Sequence, residues 1–509
     1  MVFFRKKSRE QIERRVRICV VFSMGVFLLA FPGKVRSADQ TQFKVHEISV
    51  EGWTLGVLHG DFNGDRLGDV AIIYFPTLGA HDRRYLAFFL QNKTSVFSAS
   101  PSGLLELPAT ATQFQAVDLD GDGVFEILFV DNNGVQVVRF DTGSQTPKSR
   151  RLIRKNTIYS AGVFRGAIVE NLAHDLSGSP GLEIIIPTSD GAAIFEKSDD
   201  GKYQLLNEIS LTEVGARSSV DLSIFSDRSA RSYVLEIPRS VVSDAGLDGR
   251  ADIYFLSSRR SSLYVQDESG AFPRSADNTT IFTPFTSNEV CRSYLKDCNG
   301  DNRLDLVNLR QRGGISAKET KVDFYLANSA GFFSAVPTKT LTISQAHCGI
   351  ELTDIDGDRI PELALPTIEL GTMSAIKMMM QKKGSAYLLI YPLVAGVPQE
   401  NLMVRKKLDF RLDYDSPRPD QEVTINWSAD FNADGRKDLV YSDGAGSLKI
   451  FYGQSKGYIT DEPNLEIEVE DAFRLSNTEL NGDGRDDLIV ESVNAGKANT
   501  VTVLLSTGL

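Results

Sequence analysis

Histidine and cysteine are scarce in this chain, five and four among 509 residues, and tryptophan occurs twice. The histidines form no spaced cluster with the cysteines, which leaves zinc ligation without support. There is no nucleophile elbow, no H-E-x-x-H, no P-loop and no dinucleotide fingerprint on a strand–helix unit, so no common catalytic chemistry has its residues in place. Long apolar runs are missing after residue 31, and nothing later reads as a transmembrane span. The single apolar run, 14 residues from Ile18 to Phe31, follows seven basic residues between Arg5 and Arg17 and is broken by Pro32 and Gly33. Basic, apolar and then small-residue segments in that order predict a secretory signal peptide over residues 1–37, cleaved after Ser37 or Ala38, with an uncleaved anchor as the alternative. No lipidation cysteine follows the run. The product is expected to be secreted, periplasmic or on the cell surface, without a membrane span.

What is present is a nine-residue pattern repeated eight times, with a carboxylate or amide at places one, three and five and a carboxylate at place nine. The copies start at Asp61, Asp118, Asp175, Asp244, Asp297, Asp354, Asp430 and Glu479, from 49 to 76 residues apart, so one supersecondary unit is repeated. A hard cation of calcium's size takes six to eight oxygens at about 2.3–2.6 Å from a flexible turn. Places one, three and five offer side-chain oxygen, place seven a backbone carbonyl, and place nine can close the shell with both carboxylate oxygens. Gly or Ala at places four and six permits the turn. A single such loop is more often a solvated turn, but eight in register point to metal.

The candidate ligands are Asp61, Asn63, Asp65 and Asp69; Asp118, Asp120, Asp122 and Glu126; Asp244, Asp248 and Asp252; and Asp297, Asn299, Asp301 and Asp305. The later copies add Asp354, Asp356, Asp358 and Glu362; Asp430, Asn432, Asp434 and Asp438; and Glu479, Asn481, Asp483 and Asp487. The third copy, with Asp175, Ser177 and Glu183 plus Ser179 and Pro180, is expected to be the weakest site. The fourth, with Gly246 at place three, is expected to be marginal.

Each loop is followed by an apolar run such as DVAIIYF (Asp69 to Phe75) or EIIIP (Glu183 to Pro187), then by short β-rich runs with Gly-bearing turns. Four short strands per unit make a propeller blade. The chain after about residue 43 resembles the FG-GAP or VCBS-type repeat family, which includes the β-propeller of integrin α subunits and many exported bacterial proteins. The resemblance implies calcium at the loop joining the first and second strands of each blade, on the face opposite the usual ligand face, and no single activity. We expect an all-β, eight-bladed propeller in one domain over residues 38–509, with seven blades as the alternative. Only two strands follow the last loop, and FKVHEISV (Phe43 to Val50) is spare at the start, so this strand should complete the last blade and close the ring.

Charge follows the loops. Of 67 acidic side chains, 2 lie in the first 37 residues and 25 occupy places one, three, five and nine; the remaining 40 face 46 Lys and Arg outside the signal. The acidity is that of the metal sites and says nothing about an anionic partner. Cys291 and Cys348, each six residues before a loop, occupy equivalent strand positions in neighbouring blades. Buried thiols are expected there ahead of a bridge.

On the face away from the loops the charge is mainly positive. Arg239, Arg292 and Arg474 each stand five residues before a loop, with Glu170 at the same place in blade three. Arg259 and Arg260, and Arg310 and Arg312, are read as loop residues of blades four and five. These seven arginines are candidate ligand contacts for an anionic glycan or a protein surface. In blade six, Thr372 to Gly384 carries Met373, Ile376 and Met380 at helical spacing, a short helix in expectation. The function expected is that of a non-catalytic, exported, monomeric calcium-binding protein for adhesion or interaction, with no nucleic-acid partner. The alternative is a polysaccharide lyase or related carbohydrate enzyme, because rhamnogalacturonan lyases resemble this calcium-bearing plan.

Overall fold

The computed structural model describes residues 42–508 apart from 78–82, 162–165, 179–180, 212–214, 219–232, 283–288, 313–318, 345, 348, 369–380, 412–423, 445, 455–458, 471 and 493–498. The expected signal peptide lies outside the described residues, as do Ser179, Pro180, Cys348 and residues 372–380 of the expected helix. Among the described residues no helix is long and apolar enough to cross a membrane.

Eight blades, antiparallel except where the short strand Ile168–Val169 adds in parallel to Gln113–Val117 of blade two, account for the acidic repeats one by one. In each, an inner strand runs into the acidic loop and the loop delivers the second strand: Trp53–Gly60 to Asp69–Phe75 in blade one, Gln113–Val117 to Glu126–Asp131 in two, Ala173–His174 to Glu183–Thr188 in three and Arg239–Ser243 to Asp252–Leu256 in four. Glu289–Lys296 leads to Asp305–Arg312 in five, Glu351–Thr353 to Glu362–Ile368 in six, Ile425–Ala429 to Asp438–Ser442 in seven and Ala472–Thr478 to Asp487–Ser492 in eight. The weak third repeat still builds a full four-stranded sheet, which removes the seven-blade alternative.

Patterning explains the layering. Every residue of Asp69–Phe75 is buried, because a second strand is packed on both faces by neighbouring blades and is apolar almost throughout. The outer strand Val404–Arg411 alternates with period two, since one side faces solvent. The apolar clusters therefore sit between blades. Leu58, Ile73 and Phe88 of blade one pack with Phe114, Ile127 and Phe129 of blade two.

The ring closes as the spare first strand implies. Phe43–Ser49 pairs antiparallel with Thr500–Ser506, from Phe43 opposite Ser506 to Ser49 opposite Thr500. Phe43 enters the cluster between blades seven and eight, edge-on to Phe431 at 5.4 Å, while Ile48 and Val50 enter the cluster between blades eight and one.

Three local expectations change. Gly384 does not end a helix but lies in the strand Lys383–Tyr391, opposite Phe410. Arg260 starts the strand Arg260–Tyr264, leaving only Ser257 to Arg259 as the turn of blade four. Arg310 and Arg312 extend the second strand of blade five rather than lying in its loop, because the pairing continues to Arg312 opposite Glu289.

Candidate functional site

Where they are described, the acidic loops fold alike. Place four has positive φ in every copy, including Leu247 (56°) and Ala433 (56°), and place six has it in the seven copies described there, including Arg66, Asn302 and Arg359. A side chain in the left-handed region is strained, so the fold imposes this turn even where glycine is absent. Loop four adopts it despite Gly246. The place-one carboxylate organises the turn: Asp61 Oδ1 accepts from the Gly64 N–H at 2.7 Å and Oδ2 from the Arg66 N–H at 2.6 Å. Asp118, Asp297 and Asp354 accept from the same two places of their own loops.

Place nine has a role that its position in the pattern does not reveal. In all eight loops its carboxylate accepts the N–H of place two, at 2.7–3.1 Å. Where place nine is Asp, the second oxygen also accepts a backbone N–H just beyond the third strand or at its end, as with Gln91 to Asp69 at 2.8 Å and Gly453 to Asp438 at 2.9 Å. The longer Glu126, Glu183 and Glu362 turn their second oxygen toward the loop: Glu183 Oε1 accepts from Ser177 at 2.6 Å. Two kinds of loop result, five with a backbone-anchored Asp and three with a Glu that reaches the site.

In loops two and six three carboxylates crowd together. Asp118, Asp120 and Asp122, and likewise Asp354, Asp356 and Glu362, each offer an oxygen within 4.8 Å of the other two. Like charges so close repel one another. Burial pushes the carboxyl of Asp69 up to about 8 and those of Asp438, Asp487 and Glu362 up to about 7, and the other carboxylates of each loop add to the rise. An all-oxygen donor set with surplus negative charge fits a hard divalent cation.

Loop two holds a cation of its own. Arg139, from the strand Gly134–Asp141, places Nη2 2.8 Å from Asp122, 2.5 Å from Glu126 and 3.4 Å from Asp120. The equivalent place in the third strand is Glu196 in blade three and uncharged elsewhere. We expect Arg139→Gln to lower the melting temperature in EGTA, by leaving these carboxylates uncompensated, and to tighten calcium binding at this loop. Thermal melts in EGTA check the first and calcium titration calorimetry the second, each on mutant and wild type. In loops four, five, seven and eight the arginine at place seven pairs with the place-five Asp, as Arg436 does with Asp434 at 3.1 Å.

The candidate ligand arginines separate. Arg292 and Arg474 line one cavity of about 460 Å³. Arg239 lies outside its lining, with Nη2 3.3 Å from the Ser293 carbonyl. Arg310 is engaged in blade five, where Nε and Nη2 meet the buried Asp323 at 2.6 and 3.0 Å. Arg259 and Arg260 stand on blade four away from the cavity, and the side chain of Arg312 is outside the described residues.

Glu351, Trp427 and Phe473 share the cavity lining and escaped the sequence reading. Glu351 had a signal. It stands three residues before its loop, where the other blades carry Leu58, Gln115, Leu172, Val241, Tyr294, Trp427 and Ser476, none of them charged. Burial pushes its carboxyl up to about 7, against a lowering hydrogen bond from the Trp427 backbone.

Among known families, the FG-GAP-like repeat matches residues 61–129, the first loop through the second strand of blade two. No curated protein matches the sequence. Among solved structures, the chain is similar to the Vibrio cholerae biofilm matrix protein Bap1, with 14% identity over 92% of this chain and 91% of that one and a TM-score of 0.44. It is also similar to an Agrocybe aegerita lectin that recognises non-reducing terminal N-acetylglucosamine (13%, 91% and 95%, 0.42) and to the Dos1 propeller (11%, 92% and 95%, 0.41).

Proposed function

The chain is an eight-bladed propeller of FG-GAP-type repeats, and from that premise we propose that it is an exported binding protein whose acidic loops hold structural calcium and whose opposite face takes a glycan or protein ligand. The observation that carries the calcium reading is the uniform loop: the same backbone turn in every copy as far as it is described, each with its closing carboxylate fixed in place. The basic and apolar order of residues 5–31 supports export, to a compartment where calcium is plentiful enough to fill weaker sites. Bound calcium would neutralise the crowded carboxylates and clamp each inner strand to its second strand.

The second reading is a polysaccharide lyase, and the cavity favours it in one respect. A lyase needs a base near the sugar C5 proton and a cation against the uronate, and Glu351 shares a cavity with Arg292 and Arg474. Incubation with acidic polysaccharides in calcium separates the two readings. A binding protein retains the polymer without altering it, whereas accumulation of ultraviolet-absorbing unsaturated products would overturn the non-catalytic reading.

A further inference from the structure

The cavity draws its walls from four successive blades. Arg292 comes from the inner strand of blade five, Glu351 from blade six, Ile425 and Trp427 from blade seven, and Phe473 and Arg474 from blade eight. Most of these residues lie three to six positions before their acidic loops, so the cavity opens along the inner strands away from the loops. Its volume, about 460 Å³, falls in the ~300–1,000 Å³ range of small-molecule sites.

We propose that this cavity binds a carboxylate-bearing sugar, of the uronic acid class, with Arg292 and Arg474 attracting the carboxylate and Glu351 donating a hydrogen bond to the ligand. The proposal rests on the glycan-binding reading and gives it a place and a ligand chemistry. Two inner strands separate the arginines around the ring, so their guanidinium groups approach a shared ligand from different walls. Arg474 is pre-oriented: Nη1 is 3.0 Å from Glu491 and the guanidinium lies 5.6 Å from the Phe473 ring centre, which reduces the ordering cost of binding. Ile425, Leu388, Pro366 and Phe473 supply apolar wall for the C–H face of a pyranose.

Glu351 makes the site selective for anions only while it is protonated. The residue across its paired strand is Ala364, which carries no charge; the charged groups in the cavity with it are Arg292 and Arg474, and the Trp427 backbone N–H points at it. A neutral carboxyl donates to a ligand oxygen, whereas an ionised one repels a carboxylate. A bound anion favours the protonated form, so binding takes up a proton. Affinity is highest below pH 7 and falls as pH rises through that value.

The test is calorimetry on the calcium-loaded mature protein with trigalacturonate and its methyl ester, which has the same frame without the charge. We expect the acid to bind at least tenfold tighter than the ester at pH 6, and its affinity to fall about tenfold between pH 6 and pH 8. Arg292→Ala and Arg474→Ala should each weaken binding tenfold or more in protein that still melts cooperatively, Arg474→Ala at a lower temperature because Glu491 loses its partner. Glu351→Gln, which still donates, should bind the acid with no pH dependence over that interval. Wild-type affinity in both arginine variants, or a pH dependence that survives in Glu351→Gln, overturns the cavity assignment while leaving an anionic-glycan function standing. Failure of the wild type to prefer the acid over the ester overturns the assignment together with the anionic-glycan reading beneath it.

Discussion

Removal of calcium, by excess EGTA at pH 8 and by passage over a chelating resin at pH 5, should lower the melting temperature of the mature protein, by on the order of 5–10 °C at pH 8 and by much less at pH 5. The magnitude comes from mass action: a site at 100 times its dissociation constant adds about 2.7 kcal/mol, and two or three occupied loops suffice. The pH dependence follows from the carboxyls at place nine. In the metal-free fold Asp69 holds its proton to about 8, Asp438, Asp487 and Glu362 to about 7, and Asp305 to about 6, with burial as the main cause in each. The unfolded chain releases the same protons near pH 4. Between these values the folded state binds more protons, so metal-free stability falls as pH rises from about 4 to 8, by up to about 1.4 kcal/mol per pH unit for each such group. Calcium bound at these loops would displace the protons and remove the penalty, so the protection it would give grows with pH. Within one chain, Asp122→Ala or Asp358→Ala should cost more of this protection than Ser177→Ala. Coincident melting curves in calcium and EGTA at pH 8, with no metal in a dialysed sample by elemental analysis, would end the calcium reading.

The loops were legible in the sequence because they are local: nine consecutive residues determine both the turn and the donors, and eight copies reveal the unit. Blade number followed from the same counting, and closure from a strand left over at one end and missing at the other. Features set by the third strand were not legible. Arg139 reaches loop two only because Val138 pairs with Ile127, which puts the next residue beside Glu126. The anchoring of Asp69 by Gln91 likewise spans 22 residues and depends on register. The arginines failed as a set for a related reason. Equal distance from a loop gave Arg239, Arg292 and Arg474 equal strand positions, but inner strands fan around a ring, so equal depth does not bring side chains to one point. Arg310 illustrates the other limit, since its buried partner Asp323 lies on the next strand and is invisible to a composition argument.

Removal of residues up to Gly52 should abolish cooperative folding, whereas a chain beginning at Asp39 should melt as the mature protein does. The lost segment is small but supplies both flanks of the closing blade. Phe43 packs between blades seven and eight, and Ile48 and Val50 pack between eight and one, all three less than 7% exposed. Truncating a buried Phe costs about 3–5 kcal/mol and removing most of a buried Ile or Val about 1–5 kcal/mol, so the sum approaches the 5–15 kcal/mol that holds a typical protein folded. The pairing lost along Thr500–Ser506 also leaves an open sheet edge, which favours aggregation. Phe43→Ala in the full chain should lower stability by about 3–5 kcal/mol without disrupting the ring, because Ile48 and Val50 still seal its other flank. If the effect is one of ring closure, a synthetic peptide covering Gln42 to Val50 should restore a cooperative transition when added to the truncated chain, by completing the blade as its fourth strand. A truncated chain that melts cooperatively at the mature protein's temperature without the peptide would mean that the ring is held by its blade interfaces alone.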